Sequence, residues 1–564
     1  MTLPPVAPAV VPDVLDALPP RLRKRIDGAL ERASTWVVEA TESGARAVLD
    51  ADTTLTWTLH SGVLIAADDL VCGCLLAPKC LHRAVAVAAV PVGDVGAVDD
   101  VPVAVEEAPV AQGDPIRDEE RAAAVVLWAA CAEVLRVGVT ASGAVVRGEV
   151  LRAVHSARIA GLHRAAAGGV RIATGLAEAK AGASSFDRET LADDLVEVML
   201  LCHDLRDGVG DPVLLRGTAR REYQPIGSLR LYGLCTEAIV SDTGHAGVVT
   251  HLVDAQRSLW TVNAVLPGGQ ERVAVAANGP VALGETGLTH RELGRAGLVL
   301  TGATASADRR LGAGSGVRAV AAAGGGWDEP PVSELWEEPL AAQLAREDLL
   351  FLSGTVVGAT STALRLRLAT GDINLLGATE AARDNLRLLA ERPGMSLRVI
   401  ARLAPDQPTT AVAIAALAPL HRPGHVDLTL DRLQRAHLPD GEPGTPLPAA
   451  RPEPTPSSLV ATVVQRVVIG GRAVAALPST ARDAGSLARL GLTATAGLLN
   501  DLASTARDRE RDAFGRVVPD ATDAFPTAWL TAAVHGREFT RAQARLSWLL
   551  PDDQDSPHPR PAPS

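Results

Sequence analysis

Cys72-Gly-Cys74, followed after five residues by Cys80-Leu-His82, constrains this chain more than any other feature. Three thiols and an imidazole fall within eleven residues, and Cys3His is a common tetrahedral ligand set for structural zinc. A C-x-C pair cannot easily bridge to itself, but it can place two thiolates on one ion. Residues 75–79 are long enough to loop back and deliver Cys80 and His82. Other readings stand beside this one. Disulfides need an oxidising compartment. A redox-active C-x-C leaves Cys80 and His82 unexplained. Three unconnected buried cysteines fit the apolar neighbours Leu70, Val71, Leu75 and Leu76. The metal reading predicts Zn2+ on Cys72, Cys74, Cys80 and His82. Lys79 and Arg83 are close enough in sequence to offset the net negative charge of three thiolates on a divalent ion.

The flanks carry a pattern of their own. Leu55, Trp57 and Leu59 alternate with Thr54, Thr56 and Thr58, the period of a half-buried strand. His60-Ser61-Gly62 reads as a turn, with a return strand beginning at 63–65. Asp68-Asp69 turns the chain before Leu70-Val71-Cys72, and an apolar helix over 83–90 stops at Pro91. On these residues, region 45–92 resembles the SWIM zinc finger, whose signature is C-x-C, a variable gap, then C-x-H. The resemblance covers less than a fifth of the chain. It implies a β-hairpin entering the first pair, a helix leaving the second, and a DNA-binding or protein-interaction role. It also implies a stand-alone bacterial type that supplies binding, with a separately encoded ATPase as a partner.

A chain of 564 residues is too long for one core. Its composition is globular, with 47% hydrophobic and 21% charged residues, so packing rests on small aliphatic side chains because aromatics supply only 3%. The net charge of −12 excludes a general nucleic-acid coat, which needs many phosphate contacts, but leaves a local basic face open. Six cysteines, half of them in the motif, fit a reducing cytoplasm. Residues 1–20 lack the pattern of a signal peptide, and no run reaches the ~18 apolar residues of a membrane span.

The expected fold class is α+β multidomain: a small ββα zinc finger near the N-terminus, a helical block, a β-rich central region and a helical C-terminal region. Residues 1–44 read as a Pro-rich start and a helix over 21–43. The finger takes 45–92 and an acidic linker 93–114. The helical block takes 115–210, with helices to Gly138, over 142–167, over 171–181 and over 186–205. Period-two patterning and Gly-rich turns make 211–420 one or two β-rich units, consistent with a small barrel. Residues 421–457 read as a Pro-rich linker, 458–550 as helical, and 551–564 as a disordered tail.

Catalytic signatures are mostly lacking. The sequence has no P-loop, H-E-x-x-H or kinase motif set. Gly312-Ala-Gly314-Ser-Gly316 reads as a glycine turn. His203-Asp204 superficially resembles the dyad of HD-type phosphohydrolases, which would activate water on a metal with further ligands such as His155, His163, Asp207 or Asp211. A helix C-terminus carrying a dipole-favoured His explains the same residues. Arg147, Arg152, Arg158, Arg164 and Arg171 spread over several helix faces and read as solvated surface. Arg21, Arg23, Lys24 and Arg25 form the densest basic run; with Lys79 and Arg83 they are the candidate phosphate contacts. Arg220, Arg221 and Arg230, beside Tyr223 and Tyr232, are a weaker set.

Three functions follow: a non-catalytic zinc-binding adaptor for nucleic acid or a protein, a metal-dependent phosphohydrolase using His203 and Asp204, and a purely structural finger with binding carried by the β-rich region.

Overall fold

The computed structural model describes residues 3–7, 9–41, 43–50, 53–60, 62–90, 114–217, 223–241, 245–284, 286–312, 316–346, 348–447, 455–508, 514 and 522–549. The expected tail, nearly all of the expected acidic linker, Arg220 and Arg221 lie outside these residues. The chain is mixed α+β, with a β-rich centre and a helical C-terminal region. Its contacts separate two units, Met1–Ala219 with Pro454–Arg537, and Arg220–Glu453 with Glu538–Ser564.

The first unit opens with α1 (Val10–Asp16), α2 (Pro20–Arg23) and a 3-10 segment, Asp27–Thr35. The single helix expected over 21–43 is thereby corrected. Ser34, Thr35, Val37 and Val38 favour caps and strands over helix, and the chain turns extended at Trp36. It enters β1 (Val38–Thr41), which joins β2 (Gly44–Val48), β3 (Thr54–Thr58) and β4 (Leu70–Cys72) in an antiparallel sheet of order β1-β2-β3-β4. The return strand expected at 63–65 is also corrected: Val63 bridges only to His60 and Leu64 only to Val6, while β4 pairs with β3 and sets Cys72 opposite Leu55. Alternation sorts the sheet. Ala45, Ala47, Leu55, Trp57 and Leu70 are buried, and Arg46, Val48, Thr56, Thr58 and Val71 face water. Helix α3 (Leu81–Ala88) then leaves the ligand loop.

The helical block contains α4 (Asp118–Val137), α5 (Ala144–Ile159), α6 (His163–Ala181), α7 (Arg188–Asp207) and α8 (Pro212–Arg216). A break at Gly161, φ 84°, replaces the expected helix over 142–167, and the segment expected over 171–181 is the end of α6. At the start of α4 the buried Glu120 accepts from Arg216 at 2.7 and 3.0 Å and from Arg117 at 3.0 Å. Burial alone would raise this carboxyl; the two guanidinium groups outweigh it and hold Glu120 at about 2.

The second unit repeats one winding. Strands β5 (Gln224–Ser241), β6 (His245–Asp254) and β7 (Leu259–Pro267) form a meander, followed by α9 (Glu271–Asn278), α10 (His290–Leu293), β8 (Gly297–Ala305) and β9 (Arg318–Ala322), in sheet order β7-β6-β5-β8-β9. Residues 309–311 run parallel to β7: Thr261 N–H donates to the Arg309 carbonyl, and Leu311 N–H to that of Thr261. Beyond α11 (Leu340–Arg346) come β10 (Leu349–Ala359), β11 (Leu364–Leu368), β12 (Gly371–Gly377), α12 (Glu380–Leu389), β13 (Ser396–Leu403), β14 (Thr410–Leu417) and β15 (Val426–Asp427). Their order is β12-β11-β10-β13-β14-β15, and a parallel β12–β14 pairing closes the sheet. Three strands, a helix and two strands, with the third and fifth strand positions parallel, is the topology of an OB-type barrel.

Each barrel is filled by aliphatic side chains, Leu231, Leu252, Val262 and Leu298 in the first and Leu350, Leu366, Leu375 and Val399 in the second. The two pack through Leu234, Val253, Phe351, Ile400 and Ile414, with Trp327 among them. Glu237 on β5 meets Arg402 on β13 at 2.7 Å and His251 on β6 at 2.8 Å. The linker expected over 421–457 is corrected in its first part: Val426, Leu428, Leu433 and Leu438 are buried in the second barrel's core.

The chain continues with α13 (Pro456–Ala475), α14 (Pro478–Arg489), α15 (Thr493–Arg507) and α16 (Ala524–Leu549). By length and composition alone α13 is a candidate membrane span, but Gln465, Arg466 and Arg472 interrupt its apolar run and the backbone breaks at Gly471, φ 70°. In the fold its Val460, Val463, Val467 and Val468 belong to the core of the first unit. That core is continuous: Trp57 and Leu70 of the sheet, Leu127 of α4, Leu151 of α5 and Trp529 of α16 all belong to it. The finger, the helical block and these C-terminal helices, expected as separate bodies, therefore share one interior.

One helical hairpin occurs twice in this unit. Gly161 (φ 84°) and Gly491 (φ 82°) end one helix, and Leu162 and Leu492 cap the next. Leu162 N–H donates to the Ala157 carbonyl as Leu492 N–H does to that of Leu487. The buried positions 165, 166, 169, 172, 173 and 176 of α6 recur in α15 as 495, 496, 499, 502, 503 and 506.

Candidate metal centre

The four motif residues converge. Cys72 ends β4, Cys80 is the N-cap of α3, and His82 lies in the first turn of that helix. The three sulfurs and a ring nitrogen of His82 all lie within 4.8 Å of one another. Cys72 Sγ and His82 Nδ1 are 3.9 Å apart. A tetrahedral zinc ion, with bonds of about 2.3 Å to sulfur and about 2.0 Å to nitrogen, holds its ligands roughly 3.5 Å apart, so the set fits a metal with a small contraction. Among the described residues it is the one group of three or more such side chains placed to hold a metal.

The loop is locally organised. Gly73 N–H donates to the Thr54 carbonyl at 2.9 Å, and Ala77 N–H to that of Cys74 at 3.0 Å. Arg83 points inward: its guanidinium donates to the Pro78 carbonyl at 2.7 Å and to that of Ala67. The reading of Arg83 as a phosphate contact is thereby corrected, because its donors tie the loop between Cys74 and Cys80 to the turn that precedes β4. Arg147, read as solvated surface, is buried and donates to the Ala88 and Val90 carbonyls. It therefore ties α5 to the C-terminal end of α3.

Electrostatics bears on what the cluster can hold. Burial pushes the Cys72 thiol up to about 12, with the neighbouring sulfurs adding to the effect. Burial also raises Cys80. At Cys74 burial is outweighed by the Leu76 and Ala77 N–H groups and by the neighbouring thiols, and the pKa is lowered. Three thiolates this close repel one another unless a cation lies between them.

Two hydrophobic side chains crown the loop. Leu75 is 104% exposed and Leu76 63%, beside Val71 at 59% on the open face of the sheet. Nothing in the apolar character of these residues distinguished them in the sequence from core positions. Their exposure follows from turns that point the loop outward while the cysteines face in. Lys79 is exposed, as are Arg21, Lys24 and Arg25, whereas Arg23 pairs with Asp16 at 3.3 Å.

His203 and Asp204 do not gather further ligands. His203 is exposed on α7 and meets Asp207 at 3.5 Å, an i,i+4 pair on one helix face. Asp204 is half-buried, and burial raises its pKa. No group of three metal-ligating side chains forms around them among the described residues.

The chain matches no protein-family model. It also matches no curated protein.

Proposed function

We propose that the chain is a zinc-binding adaptor, without catalysis of its own, that recognises a protein partner through the tip of its finger. The observation that carries the metal assignment is the convergence of Cys72, Cys74, Cys80 and His82 within 4.8 Å. Zinc is the ion suited to three thiolates and one imidazole in a closed tetrahedral site. The spacing and the strand–loop–helix setting support the resemblance to SWIM fingers.

Leu75 and Leu76 support a protein partner over nucleic acid. Burying two leucine side chains is worth about 3–6 kcal/mol, a useful contribution to an interface and none to a phosphate contact. The stretch 70–83 carries no acidic residue, and Lys79 and the clamped Arg83 are its Lys and Arg residues. The resemblance names a separately encoded Swi/Snf-type ATPase as the partner to test. The Leu75→Asp/Leu76→Asp variant should keep its zinc and its melting temperature and lose the ATPase. Undiminished binding by that variant would remove the finger tip from the interface.

The exposed cations Arg21, Lys24, Arg25 and Lys79 favour a second reading, in which the finger lies against phosphates. It predicts DNA affinity that falls steeply with salt. Titration of labelled single- and double-stranded DNA between about 50 and about 200 mM salt separates the two readings. Elemental analysis of the reduced chain tests the ion itself, with one zinc per chain expected.

A further inference from the structure

The six cysteines differ sharply in access. Cys72, Cys80, Cys131, Cys202 and Cys235 are buried, and Cys74 alone is partly open to solvent. Its sulfur lies within 4.8 Å of those of Cys72 and Cys80. Cys131, Cys202 and Cys235 are wholly enclosed in helix and barrel cores. A small oxidant arriving from water therefore meets one sulfur first, and that sulfur already has neighbours within bonding reach.

The geometry points to a peroxide-sensitive switch: oxidation joins Cys74 to Cys80, expels the metal and reshapes the leucine-bearing loop. This rests on the metal centre proposed above. The thiolate is the reacting species, and a sulfenic acid condenses readily with an adjacent thiol. In the first step the Cys74 sulfur attacks one peroxide oxygen, the O–O bond breaks, and hydroxide leaves; Cys74 becomes a sulfenic acid. In the second the Cys80 sulfur attacks the Cys74 sulfur, an S–S bond forms, and the second hydroxide leaves. Two thiolates have given up two electrons, hydrogen peroxide has accepted them, and two protons from solvent convert the hydroxides to water.

Cys80 is the better partner for chain-geometric reasons. Five residues separate it from Cys74, enough to let the Cβ atoms face each other at disulfide distance. Only Gly73 separates Cys72 from Cys74, and Cys72 is held in β4 by its pairing with Leu55. Oxidation leaves Cys72 and His82, a two-ligand remnant too weak to retain zinc against competing chelators. Leu75 and Leu76 lie inside the ring the new bond closes, so the surface proposed for partner recognition changes with the redox state.

The test uses the full chain, isolated under reducing conditions and assayed for zinc first. Hydrogen peroxide is then added in small molar excess. Released zinc is followed with a chromogenic chelator, and disulfides are mapped by peptide mass spectrometry. Stoichiometric release, a Cys74–Cys80 linked peptide, unmodified Cys131, Cys202 and Cys235, and recovery on adding dithiothreitol and zinc would establish the switch. Retention of zinc, pairing of Cys74 with Cys72, or oxidation to sulfinic acid without a disulfide would overturn it while leaving the metal centre intact. A reduced chain that holds no zinc overturns both proposals, and that result appears before any peroxide is added. A Leu75→Asp/Leu76→Asp chain should release zinc alike, because the chemistry needs only the sulfurs; loss of release in that variant would also count against the switch.

Discussion

Gly138 and Gly471 cross backbone to backbone, the first at the end of α4 and the second at the kink of α13. A Cβ on Gly138 would lie 2.4 Å from the Gly471 nitrogen, and one on Gly471 would lie 2.6 Å from the Val137 carbonyl carbon. Both residues have positive φ, 80° and 70°. Gly138→Ala or Gly471→Ala should each destabilise the first unit by about 2–4 kcal/mol, combining overpacking with backbone strain. Gly497 sits in α15 with open space where a Cβ would go. Gly497→Ala should therefore raise stability by roughly 0.5–1 kcal/mol. Urea unfolding of the three variants checks both signs.

Removing one metal ligand should be felt well beyond the loop. Cys72 and Cys80 belong to the same core as α4, α5 and α13. Cys80→Ser should abolish stoichiometric zinc and increase amide exchange in β3, β4 and α3, with a smaller rise in α5 through the Arg147 clamp. Exchange confined to residues 70–82 would contradict the shared interior.

Zinc affinity should fall as the solution is acidified. Each thiolate that binds metal must first lose a proton, and burial raises that requirement at Cys72, pushed up to about 12. Competition with a chelator at pH values from about 8 to about 5 should show proton release on binding and progressively weaker retention. A flat profile would speak against thiolate ligation.

The two units should respond to acid over different ranges. In the second, burial lowers His290 from 6.5 to about 4, and its ring nitrogen is 3.0 Å from the Thr250 hydroxyl. The folded state thus resists protonating this ring, and the unfolded chain does not. The stability present above pH 6.5 is lost as pH falls towards 4, on the order of 3 kcal/mol in all. In the first unit, Glu120 is held at about 2 against an ordinary 4.5, so its contribution is lost only as pH falls from 4.5 towards 2. Unfolding curves with barrel and helix probes should separate at about pH 5. His290→Gln should flatten the upper part of the pH dependence.

What the sequence disclosed follows from how far apart the interacting residues lie. The metal ligands are contiguous, so spacing alone gathers Cys72, Cys74, Cys80 and His82. Local periodicity likewise located α7 to within a few residues: a helix is expected over 186–205 and found at Arg188–Asp207. The closure of the barrels was not legible, because the parallel pairing of Asn374 with Thr410 joins strands separated by a helix and another strand. The same holds for Arg147, whose acceptors are carbonyls far along the chain. The break at Gly161 is masked in the sequence because the apolar pattern of α5 runs on through it into α6. Leu75 and Leu76 carry no local sign of exposure; only the direction of the loop decides it.

The doubled barrel limits how the molecule can be dissected. The side chains between the two copies, Phe351, Ile400 and Ile414 on one and Leu234 and Val253 on the other, are apolar and mutually covered. Cutting the chain between the copies would leave each fragment with a greasy flank and would part Arg402 from Glu237. Such halves should precipitate or self-associate, so deletion mapping of this region should remove both copies or neither.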